Sequence, residues 1–378
     1  MSSTLKFNFG KFKIMQIADT QENAVVNPDT IKLITMAIEQ ENPNLVVFTG
    51  DQIKGYSSSF SKDTYNRISK TIADILAPIE KHSIPFCVTF GNHDRDCGIP
   101  NAAQMDIYQK HNGFICGKMR NEHDKGTYSL QIANSSNEKN ILNLYIIDSN
   151  AKEPDGCYSP VSKEQVEWYK NERERIKEAN GEYLPSLVFQ HIPLPEYFRA
   201  IKRSTHFTRG SVEAFYSHKN EFYVLDDETI AKGGFMLESP AAPDINNGEF
   251  DAFKECGEVL GVFVGHDHNN SFVKNVDGID LGYTQGCGFN TYGPGKKRGV
   301  RIFEFNEEDI KNYKTYTVTM DEVCKGNYKP AKPIWEFIAS HAPTSVKQVK
   351  RIATDTLTIA ASVAAVGYAA CKIIKKLK

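Results

Sequence analysis

Five short polar clusters, each directly following an apolar run, constrain this chain more than any other feature. Asp19-Thr20-Gln21 follows Phe12–Ala18, Gly50-Asp51 follows Leu45–Thr49, and Gly91-Asn92-His93-Asp94 follows Phe86–Phe90. Further on, His191 closes the run Ser186–Gln190, and Gly265-His266-Asp267-His268 follows Val259–Val264. Runs of this length, rich in Val, Ile and Phe, read as buried strands. Between the first three lie helical stretches at 28–41 and about 61–82, the second with Ile68, Ile72, Ile75, Leu76 and Ile79 on one stripe. Such β-α-β-α-β alternation implies parallel strands joined by right-handed crossovers. Loops at the carboxyl ends of such strands converge, and that is where ligands gather.

Taken singly, each cluster has a plain structural reading. A strand-end Asp often caps a turn, and a Gly-Asn-His-Asp can be a turn with a satisfied core histidine. Two imidazoles at i and i+2 after a buried strand are a poor packing pattern and a good ligand pattern. All five in order bring carboxylates, an amide and imidazoles to one place. That mixed nitrogen and oxygen set suits Mn, Fe, Zn or Mg, and an acid able to bridge suits two ions about 3.5–4 Å apart.

The order Asp19-x-Gln21, Gly50-Asp51, Gly91-Asn92-His93-Asp94, His191, Gly265-His266-x-His268 resembles the calcineurin-like metallophosphoesterase superfamily over residues 12–306. The resemblance implies an α/β fold, a four-layered α-ββ-α sandwich, and a metal-dependent hydrolase. It implies that Asp51 bridges two divalent ions. Asp19, Gln21 and His268 would complete the first metal, and Asn92, His191 and His266 the second. His93 would protonate the leaving oxygen, while a hydroxide held between the ions attacks phosphorus. The run from Gln190 to Tyr197 is similar to the intracellular branch related to purple acid phosphatases, with Lys54 standing where that family has its purple tyrosine. Gln21 stands where the superfamily has histidine. An amide oxygen is a harder ligand than imidazole, so manganese is favoured. Arg95 and Asn92 are expected to hold the substrate phosphate, and Asp94 and Asp267 to sit behind the ligands, Asp267 orienting an imidazole.

The expected reaction is hydrolysis of phosphomonoesters or small phosphodiesters. Two alternatives stay open: a manganese-dependent ADP-ribose/CDP-alcohol-type diphosphatase, which is similar in carrying glutamine in that slot, and a non-catalytic scaffold on the same fold. The formal net charge of -2 gives no basic field for nucleic acid. Eight cysteines without a CxxC pair, and an N-terminus without an apolar core, favour a cytoplasmic protein. The catalytic domain is expected over 1–320, with 200–250 as a cap or loop insertion, 271–319 as a β-meander, and 321–346 as a wrapping arm. Residues 347–378 differ in kind. They carry Lys347, Lys350, Arg351, Lys372, Lys375, Lys376 and Lys378 against Asp355 alone, around the charge-free stretch from Leu357 to Cys371. A tail anchor through 357–374, an interfacial helix and a helix docked on the body all stay open.

Overall fold

The computed structural model describes residues 5–153 and 156–341, so the expectations for the tail lie outside the described residues. The chain runs β1 (Lys11–Ile17), α1 (Pro28–Glu41), β2 (Leu45–Thr49), α2 (Thr64–Lys81), β3 (Phe86–Thr89) and α3 (Asn101–Tyr108). Asn27 caps α1 by accepting the Asp29 N–H, and Pro28 sits where no helical donor is needed. The isoleucine stripe of α2 is fully buried, as its spacing predicts. Next come β4 (Tyr128–Ala133), β5 (Asn140–Ile146), α4 (Lys163–Asn180) and β6 (Ser186–Phe189). Ser162 and Gln165 start α4 with reciprocal capping bonds.

Residues 200–250 are more ordered than their composition suggests. They hold β7 (Lys202–Ser204), β8 (Val212–Glu213), β9 (Phe222–Val224), α5 (Asp227–Ala231), β10 (Phe235–Met236) and α6 (Glu249–Lys254). β7, β9 and β8 form a small antiparallel sheet of their own. Strands of two or three residues are too short to show alternation, so periodicity misses them. The chain continues through β11 (Val259–Val264), β12 (Asn270–Val276), β13 (Ile279–Tyr283), β14 (Gly299–Asn306), β15 (Lys314–Thr319), α7 (Met320–Val323) and α8 (Pro333–His341).

Two sheets carry the fold, in the orders β15-β14-β1-β2-β3 and β10-β12-β13-β11-β6-β5-β4. They meet face to face through Phe303 of the first, which packs edge-on against Phe189 and Phe263 of the second at 5.4 and 4.5 Å. Helices α1 and α2 cover one outer face. On the other, Tyr169 of α4 packs between Tyr145 and Phe253, 4.8 Å from each. This is the expected α-ββ-α layering. The expected single meander is corrected. β12 and β13 form a hairpin in the larger sheet, whereas β14 crosses over to pair antiparallel with β1. Hydrophobic alternation marks strands but not their partners, and residues 284–298 form a connection too long for a hairpin.

After α7 the chain returns across the strand ends. The Ala331 N–H and the Tyr328 hydroxyl both reach Asp29, at 2.7 and 3.1 Å. The Trp335 indole donates to the Phe289 carbonyl at 2.8 Å, and Glu336 faces the buried Arg298 at 3.7 Å. These contacts lay α8 beside the carboxyl ends of the central strands. Among the described residues, no helix is long and apolar enough to cross a membrane.

Glu249, at the start of α6, is buried, and one of its oxygens lacks a hydrogen-bond partner. Burial, with Glu196 nearby, pushes its carboxyl up to about 8. The folded state therefore binds a proton that the unfolded chain has released above about pH 4.5, and stability falls as pH rises between these values. Glu249→Gln should gain about 1–3 kcal/mol over the parent at pH 9 and almost nothing at pH 4, measured by denaturant unfolding. Parallel pH profiles for the two proteins would refute this.

Candidate metal centre

Asp19, Gln21, Asp51 and His266 all have positive φ, at 53°, 33°, 52° and 73°. Left-handed backbone at non-glycine residues costs about 1–3 kcal/mol each and persists only where surrounding bonds impose it. Here the bonds are visible. The Asp19 N–H donates to the Gly50 carbonyl at 3.2 Å, and the Gln21 N–H to the Asp51 carbonyl at 2.8 Å. The His266 N–H donates to Asp19 Oδ2 at 2.9 Å, and the His93 N–H to Asp51 Oδ1 at 2.8 Å. Two of the motif glycines are required by space. A Cβ on Gly91 would come within 2.2 Å of Asp51 Oδ1, and one on Gly265 within 2.5 Å of Asp19 Oδ2.

Asp94 supplies the tie between two loops. Its buried carboxylate accepts N–H bonds from Asp51, Gln52, Ile53 and Gly91 at 2.8, 2.9, 3.2 and 2.7 Å. Burial and the charge of Asp51 push it up to about 7, and the N–H groups of Gly91 and Ile53 work against that rise. Four donors need a carboxylate that accepts on both oxygens.

Around Asp51 the side chains converge. Asp19, Asp51 and His268 each bring a ligand atom within 4.8 Å of the others. His268 Nε2 lies 3.3 Å from Asp19 Oδ1, and His191 Nε2 lies 3.3 Å from Asp51 Oδ2. His266 Nδ1 lies 3.2 Å from His191 Nε2. His191 and His268 donate Nδ1–H to the carbonyls of Thr49 and Tyr292, each at 2.9 Å, which aims Nε2 inward. Burial alone would raise the Asp51 carboxyl, but His191 and His93 hold it far below the usual range. Burial alone would lower His191, yet Asp51 and Asp19 push it up to about 10. His266 lies well below its ordinary value through burial and the adjacent His191.

These residues fit divalent metal ions. Asp19 Oδ1 and Asn92 Oδ1 are buried without a hydrogen-bond partner, a cost of about 1–3 kcal/mol each unless something else satisfies them. Carboxylate, amide oxygen and imidazole together form a mixed set suited to such ions.

The other expected residues fall out differently. His93 lines the cavity over the centre, with Nδ1 2.6 Å from Asp96 and its ring 4.7 Å from Tyr56. Gln21, expected as a ligand, stands in two hydrogen bonds: its Nε2 donates to Asp51 Oδ2 at 2.9 Å, and its Oε1 accepts from the Thr291 hydroxyl at 2.7 Å. In this arrangement the amide holds the Asp51 carboxylate. Arg95 is also corrected. It turns away to Asp148 at 3.6 Å and lines a separate cavity of about 620 Å³ with Asn101, Arg120 and Asp124. Asp267 accepts from the Tyr283 hydroxyl at 2.6 Å and the Ala241 N–H at 3.1 Å, so it braces the loop instead of orienting an imidazole.

Residues not singled out from the sequence complete the site. Asp96 orients His93 from three positions on, a spacing that could have signalled it. Tyr292 stacks on His268 at 4.2 Å, and Tyr158 meets His266 edge-on at 4.4 Å. The cavity above these side chains measures about 470 Å³ and is walled by Lys54, Tyr56, Tyr158, Phe215, Tyr216 and Trp335, with Glu238 among its acids. Apart from Lys54, three residues after Asp51, no local pattern links these positions to the motifs.

A two-sheet sandwich with carboxylates and imidazoles gathered at its strand ends is the architecture of a metallophosphoesterase. The chain belongs to the calcineurin-like phosphoesterase family, whose model matches residues 12–270. It is 30% identical over 341 residues to "Probable inactive purple acid phosphatase 14" of Arabidopsis thaliana, covering 79% of this chain and 77% of that one. It is 28% identical over 352 residues to "Phosphatase DCR2" of Saccharomyces cerevisiae, covering 83% of this chain and 55% of the yeast protein. Among solved structures it is similar to a dimetal phosphatase from Danio rerio, at 12% identity and a TM-score of 0.47, covering 82% of this chain and 99% of that one.

Gln21 generates a direct test. As a hydrogen-bond partner of Asp51, it should affect the reaction more than metal uptake. Gln21→Ala should lower the rate at saturating Mn²⁺ about tenfold, the loss of one bond to a charged group, and leave the half-saturating Mn²⁺ concentration within about twofold. A large rise in the Mn²⁺ requirement with an unchanged saturated rate would restore Gln21 as a ligand.

Proposed function

We propose that the protein is a two-metal phosphoesterase acting on phosphomonoesters or small phosphodiesters. The observation that supports this most is the convergence of Asp19, Asp51, His191, His266 and His268 beneath a cavity that also holds His93. Two divalent ions, manganese favoured, would neutralise charge on the phosphoryl oxygens and acidify a water at neutral pH. Asp51 would be shared between them, with Asp19 and His268 on one side and Asn92, His191 and His266 on the other. Asn92, through its unpaired amide oxygen, is the group left in place to meet both ion and substrate once Arg95 is set aside.

His93 is the proton donor in this reading. In its imidazolium form the Nδ1–H rests on Asp96, and the Nε2–H is available to the leaving oxygen. Tyr56 packs on the ring and limits its rotation. His191 and His268 are instead held by backbone carbonyls, which leaves their Nε2 atoms to face the centre. A catalytic body over 1–320, facing the cytosol, is the organisation that the cysteine usage supports.

A second reading has its own support. Gln21 in place of histidine, and relatives named inactive, favour a phosphate-binding module without turnover. Assays of full-length protein with Mn²⁺ against phosphomonoesters, phosphodiesters and nucleoside diphosphate conjugates separate these readings. We expect chelator-sensitive turnover of the esters. Preference for the diphosphate conjugates would favour the diphosphatase, and binding without turnover of any of them the non-catalytic module. Within the main reading, His93→Ala should slow alkyl phosphates about 10²–10⁴-fold and nitrophenyl phosphate far less, because nitrophenolate leaves without a proton. Equal losses would remove His93 from that role.

A further inference from the structure

Helix α8 is anchored to the body along one edge and bare along the other. Glu336 and Ala339 are buried, and the Ala339 carbonyl accepts the Gly293 N–H at 3.2 Å. Yet Ile334, Trp335, Phe337 and Ile338 are 79%, 38%, 65% and 47% exposed. A nine-residue helix with four large apolar side chains turned outward is a surface that seeks an apolar partner. The same helix builds the mouth of the metal site. Trp335, Ile338 and Ala339 wall the cavity that contains Asp51, His93 and His268. Tyr56, on that cavity's wall, is 52% exposed, and Leu237, next to the cavity residue Glu238, is 57% exposed.

Charge identifies the partner. Lys325, Lys329 and Lys332 are exposed on the approach to α8, and Lys297 is exposed on the turn packed against it. The acids here are already engaged. Asp321 pairs with Lys296 at 2.9 Å, Glu322 caps Thr319, and Glu336 faces Arg298. Beyond His341 the chain adds Lys347, Lys350 and Arg351 before the charge-free stretch from Leu357 to Cys371. An apolar face flanked by lysines matches an anionic lipid surface, where apolar burial and electrostatic attraction act together.

We propose that α8 seats the mouth of the metal cavity on an anionic bilayer, so that the site takes phosphate esters of membrane lipids. The choice of substrate rests on the phosphoesterase reading, whereas the docking does not. An aromatic-walled cavity opening at the lipid surface suits a phosphate whose alcohol is apolar and stays partly in the bilayer.

The test uses full-length protein carrying Trp168→Phe, which leaves Trp335 as its tryptophan reporter, with vesicles of phosphatidylcholine and phosphatidylserine containing brominated acyl chains. Trp335 emission should shift to the blue and be quenched, and Ile334→Asp with Phe337→Asp should abolish the quenching. Emission unmoved by vesicles, as when residues 357–374 cover α8, or quenching that survives the double substitution, overturns the docking. With Mn²⁺ and with phosphatidate added to those vesicles, the double variant should hydrolyse the phosphatidate about tenfold more slowly and soluble nitrophenyl phosphate within about twofold of the parent rate. Equal effects on both substrates, or turnover of nitrophenyl phosphate alone by the parent, overturn the choice of substrate. Quenching without turnover of either substrate upholds the docking and tells against the phosphoesterase reading.

Discussion

The buried carboxylate of Asp94 is the tie on which the centre depends. Its four N–H partners belong to the loops after β2 and β3, so one side chain sets how those two strand ends face each other. The Asp94 carbonyl in turn accepts from Gln104 of α3 at 2.7 Å, which fastens the turn to the helix that follows. This arrangement fixes the backbone at Asp51 and at Gly91, the residue before the Asn92-His93 pair. A buried charge is stable only when its lone pairs are met, and backbone donors meet them without adding a countercharge that would compete with the centre.

From that tie the strain and the electrostatics follow. Left-handed backbone at Asp19, Asp51 and His266 turns three side chains inward from three different strands, and each turn is held by a hydrogen bond to a neighbouring loop. The result is a pocket of negative charge from Asp19 and Asp51, lined by imidazoles, of which His191 and His268 have their outer nitrogens occupied by carbonyls. Such a pocket attracts cations and offers them lone pairs in place of water. The two sheets matter because they bring both sets of strand ends to one edge, the carboxylates on β1 and β2 and the histidines on β6 and β11.

How much of this was legible in the sequence depended on distance along the chain. The five strand-end clusters were readable because each is local: an apolar run followed at once by a ligand-type residue. The buried stripe of α2 was readable for the same reason. What Asp94 does was not, because its partners are backbone N–H groups that leave no trace in residue identity. Thr291, Tyr292 and Trp335 join the site from the long connection before β14 and from the arm, positions that only the folded chain brings near Gln21 and His268. Gln21 itself was read from its slot in the pattern. Its real neighbours, Asp51 and Thr291, assign its two amide atoms to hydrogen bonds. The alternation that marked β12 to β15 could not tell that the chain changes sheets midway.

The central claim is that the converging side chains form a centre for two ions joined by Asp51. Calorimetric titration of chelator-treated full-length protein with Mn²⁺ tests it most directly. About two ions per chain are expected, about one in Asp19→Ala, and neither in Asp51→Asn, with all three proteins folded by circular dichroism. A single site in the parent protein, or unchanged stoichiometry in Asp51→Asn, would contradict it.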